Sequence, residues 1–461
     1  MSSAPPGLPF YPLANPKGTD YKCEICGKPA LLQCSLCRVT FYCGTEHLKL
    51  DWVGIHEKIC IKLMAIRKPV SFIASEDGRR KARDELQQTN LDMVKLTQLV
   101  GQKLLFEGKH EEAVPAALQC LKFTAEAYGL ASAELVSPYL ILAESSIGLG
   151  RMCQAEGYLA QAQWTLLKTQ HECSNAIRSQ LHRKLGLFYA AKEDYESALE
   201  NLAKDIFYAS CEYGTDHIRT AGGYFQMAEV FHAIHKRDEE KCLETLNNPQ
   251  NNSGPPIPTG PSAAQQIPGV PQSFPKTTAL SAIHCCVPGP PCVHTGAEQP
   301  LTPPTDKLAV ADSLYARVVD IWCVHLAEIV RAVTHRPVIP EGIGAVVAEI
   351  TQEKMKTLDD AQKAEAEKML YAIEKYRHQR LVLETSVPIH HGLGRPDPKV
   401  RLLLALSMFN FISDRRSKAA QYLADAKVSY EFAIPHEILK EEIQLMMDAL
   451  EPRAEPCIGA K

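Results

Sequence analysis

Eight cysteine and histidine side chains lie within residues 23–60, and this cluster constrains the fold more than any other feature of the sequence. Two Cys-x-x-Cys pairs are followed by two pairs whose members are separated by three residues: Cys23, Cys26, Cys34, Cys37, Cys43, His47, His56 and Cys60. A Cys-x-x-Cys turn directs both thiolates at one tetrahedral ion, and ligands separated by three residues share a helical face. Eight ligands complete two four-ligand sites and leave no open catalytic position. The sequence therefore predicts two structural Zn²⁺ ions.

A segment of ~40 residues buries too little apolar surface to fold alone, so metal binding has to stabilise it. A chance cluster of buried thiols or a disulfide knot is the alternative interpretation. Two Cys-x-x-Cys pairs within so short a stretch argue against both.

The order of these ligands, with Phe-Tyr before Cys43 and Trp52 before a His-x-x-x-Cys end, resembles the MYND zinc finger family, here over residues 21–66. The resemblance implies interleaved ligand sets: Cys23, Cys26, Cys43 and His47 for one zinc, and Cys34, Cys37, His56 and Cys60 for the other. It also implies binding to proteins, often to short proline-containing peptides. Two departures stand out. His47 occupies a position that is usually Cys, and three residues separate Trp52 from His56 where two are usual.

The composition excludes several partner classes. The formal net charge of −4 gives no general affinity for nucleic acid or anionic membranes. Residues 1–20 lack the features of a signal peptide and are expected to be flexible, and the longest apolar stretch, residues 402–411, is too short to cross a bilayer. We therefore expect a cytoplasmic protein whose 16 cysteines stay reduced.

A repeat begins after the finger. Small residues recur at intervals of 42, 43 and 42 positions, at Gly101, Ala143, Gly186 and Ala228, and a Tyr-Gly pair recurs at residues 128–129 and 213–214. Small residues allow antiparallel helices to approach closely, and a fixed period indicates stacked helical pairs. The segment from residue 185 resembles the tetratricopeptide (TPR) family, and the long period resembles that of kinesin light chains. Residues 85–237 are thus predicted to form TPR-like repeats, a non-repetitive helical bundle being the alternative. Pro115 is expected early in the second helix of the first repeat, where its missing N–H costs little if it falls in the first turn.

Residues 238–306 contain 14 of the 31 prolines and are predicted to be disordered. The helical pattern resumes over residues 307–450, with Leu308, Ala311 and Tyr315 at the positions expected for a second repeat helix. The segment therefore loops out within one repeat, unless it reflects an alternative transcript or a gene-model error. A weak His/Cys group lies inside it at residues 284–294, an apolar stripe follows at residues 343–350, and residues 451–461 are expected to be a loose tail.

The predicted fold class is mostly α, a TPR-like α-solenoid preceded by a small two-zinc MYND finger. Solenoids expose a concave surface that binds peptides, so the sequence indicates a protein–protein scaffold or adaptor that uses this concave face and the finger. The chain also resembles the MYND-finger TPR proteins of motile cilia and sperm flagella. That resemblance implies a place in the axoneme, supporting inner dynein arms beside axonemal dynein and other TPR axonemal proteins.

Two other functions compete with the scaffold. MYND fingers also occur in SET lysine methyltransferases, but the Asn-His-x-Cys stretch of that domain is absent, as are phosphate-loop and nucleophile-turn motifs, so we expect no enzyme. A nuclear transcriptional co-regulator is the second alternative. Its closest support is the basic run at residues 78–83, for which a solvated helix face is the simpler interpretation. The sequence leaves open whether the finger docks on the first helical pair.

Overall fold

The computed structural model describes residues 4–9, 11, 20–67, 72–169, 173–247, 307–334, 358–383 and 396–451. Within these residues the protein is mostly helical, as predicted, with one small sheet near the N-terminus. The strands are β1 (Gly7–Pro9), β2 (Leu32–Cys34) and β3 (Phe41–Tyr42), which pair antiparallel in that order. No helix of the described part is long and apolar enough to span a membrane.

The helices follow in chain order. Two short helices belong to the finger, α1 (Thr45–Asp51) and α2 (Glu57–Arg67), and a π-helical turn (Trp52–His56) joins them. The next seven are α3 (Glu76–Phe106), α4 (His110–Tyr128), α5 (Val136–Gly148), α6 (Met152–Lys168), α7 (Asn175–Ala191), α8 (Tyr195–Tyr213) and α9 (Ile218–Asn247). The last five are α10 (Lys307–Thr334), α11 (Asp360–Leu383), α12 (Pro398–Ile412), α13 (Arg416–Glu431) and α14 (Glu437–Leu450).

Consecutive helices pack as hairpins: α3 with α4, α5 with α6, α7 with α8, α9 with α10, and α12 with α13. In the α7–α8 pair, for example, Ser179 donates to Asp205 and His182 lies 3.0 Å from Asn201, so the two helices run antiparallel. The first helices of the first four hairpins also contact each other in series, α3 with α5, α5 with α7, and α7 with α9. The four small residues that recur in the sequence all lie in these first helices, where they allow close packing.

Four hairpins turn in the same way. Each turn has one residue with positive φ: Gly108 (72°), Gly150 (70°), Glu193 (61°) and Asp414 (57°). In every case the N–H of this residue donates to the carbonyl three positions back, and the next N–H donates to the carbonyl five positions before it. These two bonds define the Schellman motif that ends a helix. The first three turns are 42 and 43 residues apart, the same period as the small residues in the sequence.

The insert begins later than predicted. Helix α9 continues through residues 238–247, and the prediction missed this because Glu239–Glu244 are exposed and carry no apolar stripe. Across the gap, Lys307 pairs with Asp238 (2.5 Å) and Tyr315 donates to Glu229, so α10 returns antiparallel along α9. Residues 248–306, with the His/Cys group at 284–294, lie outside the described residues, as do the apolar stripe at 343–350 and residues 452–461.

One further prediction needs correction, and the position of Pro115 can now be stated. Residues 1–20 were expected to be flexible, yet Gly7–Pro9 form a strand because the edge of β2 offers backbone hydrogen bonds. Pro115 lies in the second turn of α4 and not in the first, because α4 begins at His110. The basic run at residues 78–83 does lie on a helix, where Arg79 pairs with Glu76.

Replacing Glu193 with Gly should stabilise the fold by about 0.5–1 kcal/mol. The left-handed conformation costs a residue with a Cβ ~1–2 kcal/mol, while Gly itself loses ~0.5–1 kcal/mol of chain entropy on folding. Chemical denaturation measures the difference in unfolding free energy. The matched control, Glu193→Ala, keeps the Cβ and should show no gain. Equal stability of the Gly and Ala variants would contradict the argument.

Candidate metal centres

The first ligand set joins the start of the finger to α1. Cys23 and Cys26 flank a turn in which Gly27, with φ of 69°, donates its N–H to the Cys23 carbonyl. Cys43 follows β3, and His47 lies on α1. The Nδ1 atom of His47 is 3.3 Å from Cys23 Sγ and 3.2 Å from Cys43 Sγ, and the Sγ atoms of Cys26 and Cys43 are 3.6 Å apart.

The second ligand set is wholly buried. Cys34 ends β2, and Cys37 follows in a turn in which Arg38, with φ of 57°, donates its N–H to the Cys34 carbonyl. His56 closes the π-helical turn and Cys60 lies on α2. The Nε2 atom of His56 is 3.6 Å from Cys37 Sγ.

Both sets fit zinc. Bonds of ~2.3 Å to sulfur and ~2.0 Å to nitrogen at tetrahedral angles place two sulfurs ~3.8 Å apart and a sulfur and a nitrogen ~3.5 Å apart. The observed separations of 3.2–3.6 Å agree with these values. Within each set all four ligand atoms lie within 4.8 Å of one another, and the two sets are the ones that the family resemblance implies. Each set supplies three thiolates and one imidazole, so the prediction of two structural zinc ions is confirmed.

The second set is prepared for metal before any ion binds. A hydrogen bond with Cys34 is the largest cause that lowers the pKa of Cys37, and together with hydrogen bonds from His56 and Thr40 it outweighs burial and brings this pKa to about 3. One thiolate of the pair is therefore present at neutral pH. Zinc binds the thiolate form of cysteine, so this set loses fewer protons on binding than four neutral groups would.

The extra residue between Trp52 and His56 has a structural explanation. Residues 52–56 form one π-helical turn, in which the N–H of Glu57 donates to the carbonyl of Trp52, five residues back. A π turn is the way a helix absorbs one inserted residue. The insertion therefore leaves His56 facing Cys37.

Tyr42 and Asp51 lie beside His56, and the sequence analysis missed both. The Tyr42 hydroxyl donates to Asp51 Oδ2 at 2.6 Å, and the same oxygen lies 3.7 Å from Nδ1 of His56. All three side chains are buried. A carboxylate is a common partner for the outer nitrogen of a zinc-binding histidine, and here Asp51 lies on that side of the ring while Nε2 faces the thiolates, although 3.7 Å is too long for a hydrogen bond. The sequence signal that could have identified Asp51 is an acidic residue about one and a half helical turns before the zinc ligand His56.

The finger docks on the first hairpin through a shared apolar core. Ile55, Ile59 and Leu63, from the π turn and α2, are almost completely buried. Their cluster includes residues of both α3 and α4: Met93, Val94, Val100, Leu104, Ala113, Ala116, Cys120 and Phe123. His56 and Cys60 alternate with these apolar residues along the same helical segment. The second zinc therefore fixes the segment that contributes the finger's half of the core.

Gly54 allows the closest approach between the two parts. A Cβ at this position would lie 2.5 Å from the Glu112 carbonyl oxygen and 3.1 Å from Cγ of Pro115. Because Pro115 has no N–H, the backbone of α4 lacks one intrahelical hydrogen bond at this level. The ring of Pro115 lies directly against Gly54 of the π turn.

A polar network closes the edge of the interface. Glu24, between the first two ligands, pairs with Arg67 of α2 and with Lys122 of α4, each at 2.5 Å. Gln119 donates to Glu24 at 3.1 Å and accepts from Arg67 at 3.3 Å. Burial alone would raise the pKa of Glu24, but the two cations outweigh it and hold this pKa below its ordinary value. The first zinc-binding turn is thereby joined to the hairpin.

Comparison with known proteins identifies the finger. The MYND finger family matches residues 23–60. Egl nine homolog 1 of Homo sapiens is 44% identical over 55 residues, which make up 12% of this chain and 12% of that protein. The chain thus covers only a small part of the curated relative. Residues 23–60 are a MYND finger, which is a protein–protein interaction domain. The family match and the similarity to the human protein each cover only a small part of the chain.

Cys60→Ser should reduce the zinc content from two ions to one and loosen α3 and α4. Without the second zinc, α2 no longer holds Ile59 and Leu63 in the shared core, so amide exchange in α3 and α4 should accelerate about tenfold or more. The matched control is Cys26→Ser, which removes the other zinc but none of the apolar contacts and should accelerate that exchange far less. Equal effects of the two variants would contradict the assignment.

Gly54→Ala should destabilise the docked finger by about 1–3 kcal/mol, since the new methyl group meets a backbone carbonyl that cannot turn away. Both zinc ions should remain, because no ligand is changed. Thermal unfolding and metal analysis test this. The control is Gly44→Ala, where a Cβ meets nothing within 4 Å. A Gly54→Ala chain that unfolds at the wild-type temperature would contradict the contact.

Proposed function

We propose that the protein is a non-enzymatic scaffold that binds other proteins through its MYND finger and its helical hairpins from one rigid platform. The observation that carries this proposal is the docking of the finger on α3 and α4. A finger that shares its core with the hairpin cannot swing as a separate module. Ligands bound to the two parts would therefore be held at a fixed distance and orientation.

The helical part supports a TPR-like solenoid as the second binding surface. Polar contacts join the first helices of successive hairpins: Gln98 donates to Ser137 at 2.9 Å, Lys184 pairs with Glu144 at 2.6 Å, and Arg183 donates to the Arg219 carbonyl at 2.8 Å. Adjacent first helices at a period of 42–43 residues would form a continuous inner face. Such a face suits an extended peptide or a helix of a partner.

The finger has its own exposed apolar residues away from the docked side. Leu31 and Leu36 flank β2 and are 58% and 59% exposed. Exposed leucines of this kind suit a protein partner more than a charged ligand. Four protein ligands at each zinc support the proposal that neither ion is catalytic.

The finer part of the proposal places the scaffold in the cytoplasm, at the axoneme of motile cilia or sperm flagella. Its partners there would be axonemal dynein and other TPR axonemal proteins, so that it supports inner dynein arms. This part depends on the family resemblance of the sequence. The competing placement is the nucleus, as a transcriptional co-regulator.

An affinity pull-down from multiciliated tissue tests the scaffold. The full chain should recover axonemal dynein components from the detergent-resistant cytoskeletal fraction. Leu36→Glu changes only an exposed side chain of the finger. This variant should still recover the partners that bind the helical hairpins, and its recovery of any partner that binds the finger should fall at least about tenfold. The control, Lys49→Glu, changes the charge on α1 and should recover the same partners as the unsubstituted chain.

Recovery of nuclear corepressors alone, lost with Leu36→Glu, would replace the axonemal placement by the nuclear one. Recovery of no protein by either surface would overturn the scaffold.

A further inference from the structure

Strand β1 covers the outer edge of the finger's β-hairpin. In the described residues the sheet order is β1-β2-β3, with Gly7 opposite Cys34, Leu8 opposite Gln33, and Pro9 opposite Leu32. On its other side, β3 receives the N–H of Glu24. Strand β1 contributes none of the eight zinc ligands. The finger's metal sites therefore do not require it.

Two small residues, one in β1 and one just before it, allow this segment to pack closely against the finger. A Cβ at Gly7 would lie 3.2 Å from Cδ1 of Leu32 and 3.2 Å from Cδ1 of Leu48. Ala4 packs against the apolar cluster that contains Leu48 and Trp52. The position opposite Cys34 thus accepts a glycine because Leu32 and Leu48 lie close to it, and the apolar cluster packs against a small side chain at Ala4. This is a shape-selective surface for an extended chain.

The strand is also easy to displace. It has three residues, and an isolated pairing of that length is marginal in water. Pro9 has no N–H to donate, and Pro5 and Pro6 precede the strand, so the segment makes few backbone hydrogen bonds. Prolines restrict the chain to extended conformations before it binds, which reduces the entropy lost on pairing. If β1 leaves, the edge of β2 presents unpaired N–H and C=O groups to any other strand.

We propose that residues 4–9 are an internal ligand that occupies a peptide-binding edge of the finger and is displaced by an extended peptide of a partner protein. The partner's segment would add to β2 as a strand, with glycine opposite Cys34 and against Leu48, an apolar residue next, and then proline. Strand addition of this kind takes its affinity from backbone pairing and its specificity from such pockets. The inference rests on the proposed role of the finger as a protein-binding module.

Tethering determines how strongly the internal strand competes. Only residues 10–20 separate it from the finger. Short flexible connections give effective concentrations in the millimolar range. If the internal strand itself has an intrinsic dissociation constant of ~100 μM for this edge, any competing peptide would bind the intact chain about tenfold more weakly than the open edge.

The probe is a fluorescent peptide with the sequence of residues 4–11, APPGLPFY, titrated by anisotropy. It should bind a chain that lacks residues 1–11 at least about tenfold more tightly than it binds the intact chain. Gly7→Val in the intact chain should expose the edge without truncation and reproduce the tighter binding. A control peptide with Val in place of the glycine should not bind. Zinc content of two ions in each protein shows that the finger is folded.

Equal binding of the peptide to all three proteins, or no binding to a truncated chain that retains both zincs, would overturn the inference. Such a failure is distinct from failure of the scaffold. The truncated chain would then still recover the full chain's partners in the pull-down, whereas a failed scaffold recovers none.

Discussion

The segment formed by the π turn and α2 belongs to two structures at once, and the arrangement of the N-terminal half depends on it. One side supplies His56 and Cys60 to the second zinc, and the other supplies Ile55, Ile59 and Leu63 to the core with α3 and α4. Zinc binding stabilises a finger whose own apolar core is small. The apolar side chains that the finger cannot bury by itself are buried against the hairpin. Zinc binding and helical packing are therefore coupled through a single helical segment.

The same segment explains why two unusual residues occur together. Gly54 in the π turn and Pro115 in α4 meet at the closest point of the interface. A proline inside a helix is normally unfavourable, because it removes a hydrogen bond and crowds the preceding turn. Here it lies under a backbone that carries no side chain. The absence of a side chain at Gly54 therefore allows the finger to pack closely against α4 at Pro115.

Beyond the finger, the hairpins are repeated in their turns as well as in their packing. The turns at Gly108, Gly150 and Glu193 share one hydrogen-bond pattern, and Asp414 repeats it far along the chain. The first helices then touch in series, joined by polar pairs such as Lys184 with Glu144. A rigid finger at one end of this series gives the proposed scaffold a fixed geometry, and β1 gives the finger a built-in competitor.

The sequence by itself determined the zinc ligands, the helical class and the repeat period. The zinc ligands follow from short spacings, because a Cys-x-x-Cys turn directs its own thiolates. The repeat period follows from small residues that recur wherever neighbouring helices must approach closely. Tertiary structure alone decided the docking of the finger, the network of Glu24 with Lys122, and the place of Gly7–Pro9 on β2. Residues 24 and 122 are almost a hundred positions apart, and no local pattern specifies such a contact. Its energy comes from burial and charge pairing that exist only once both parts have folded.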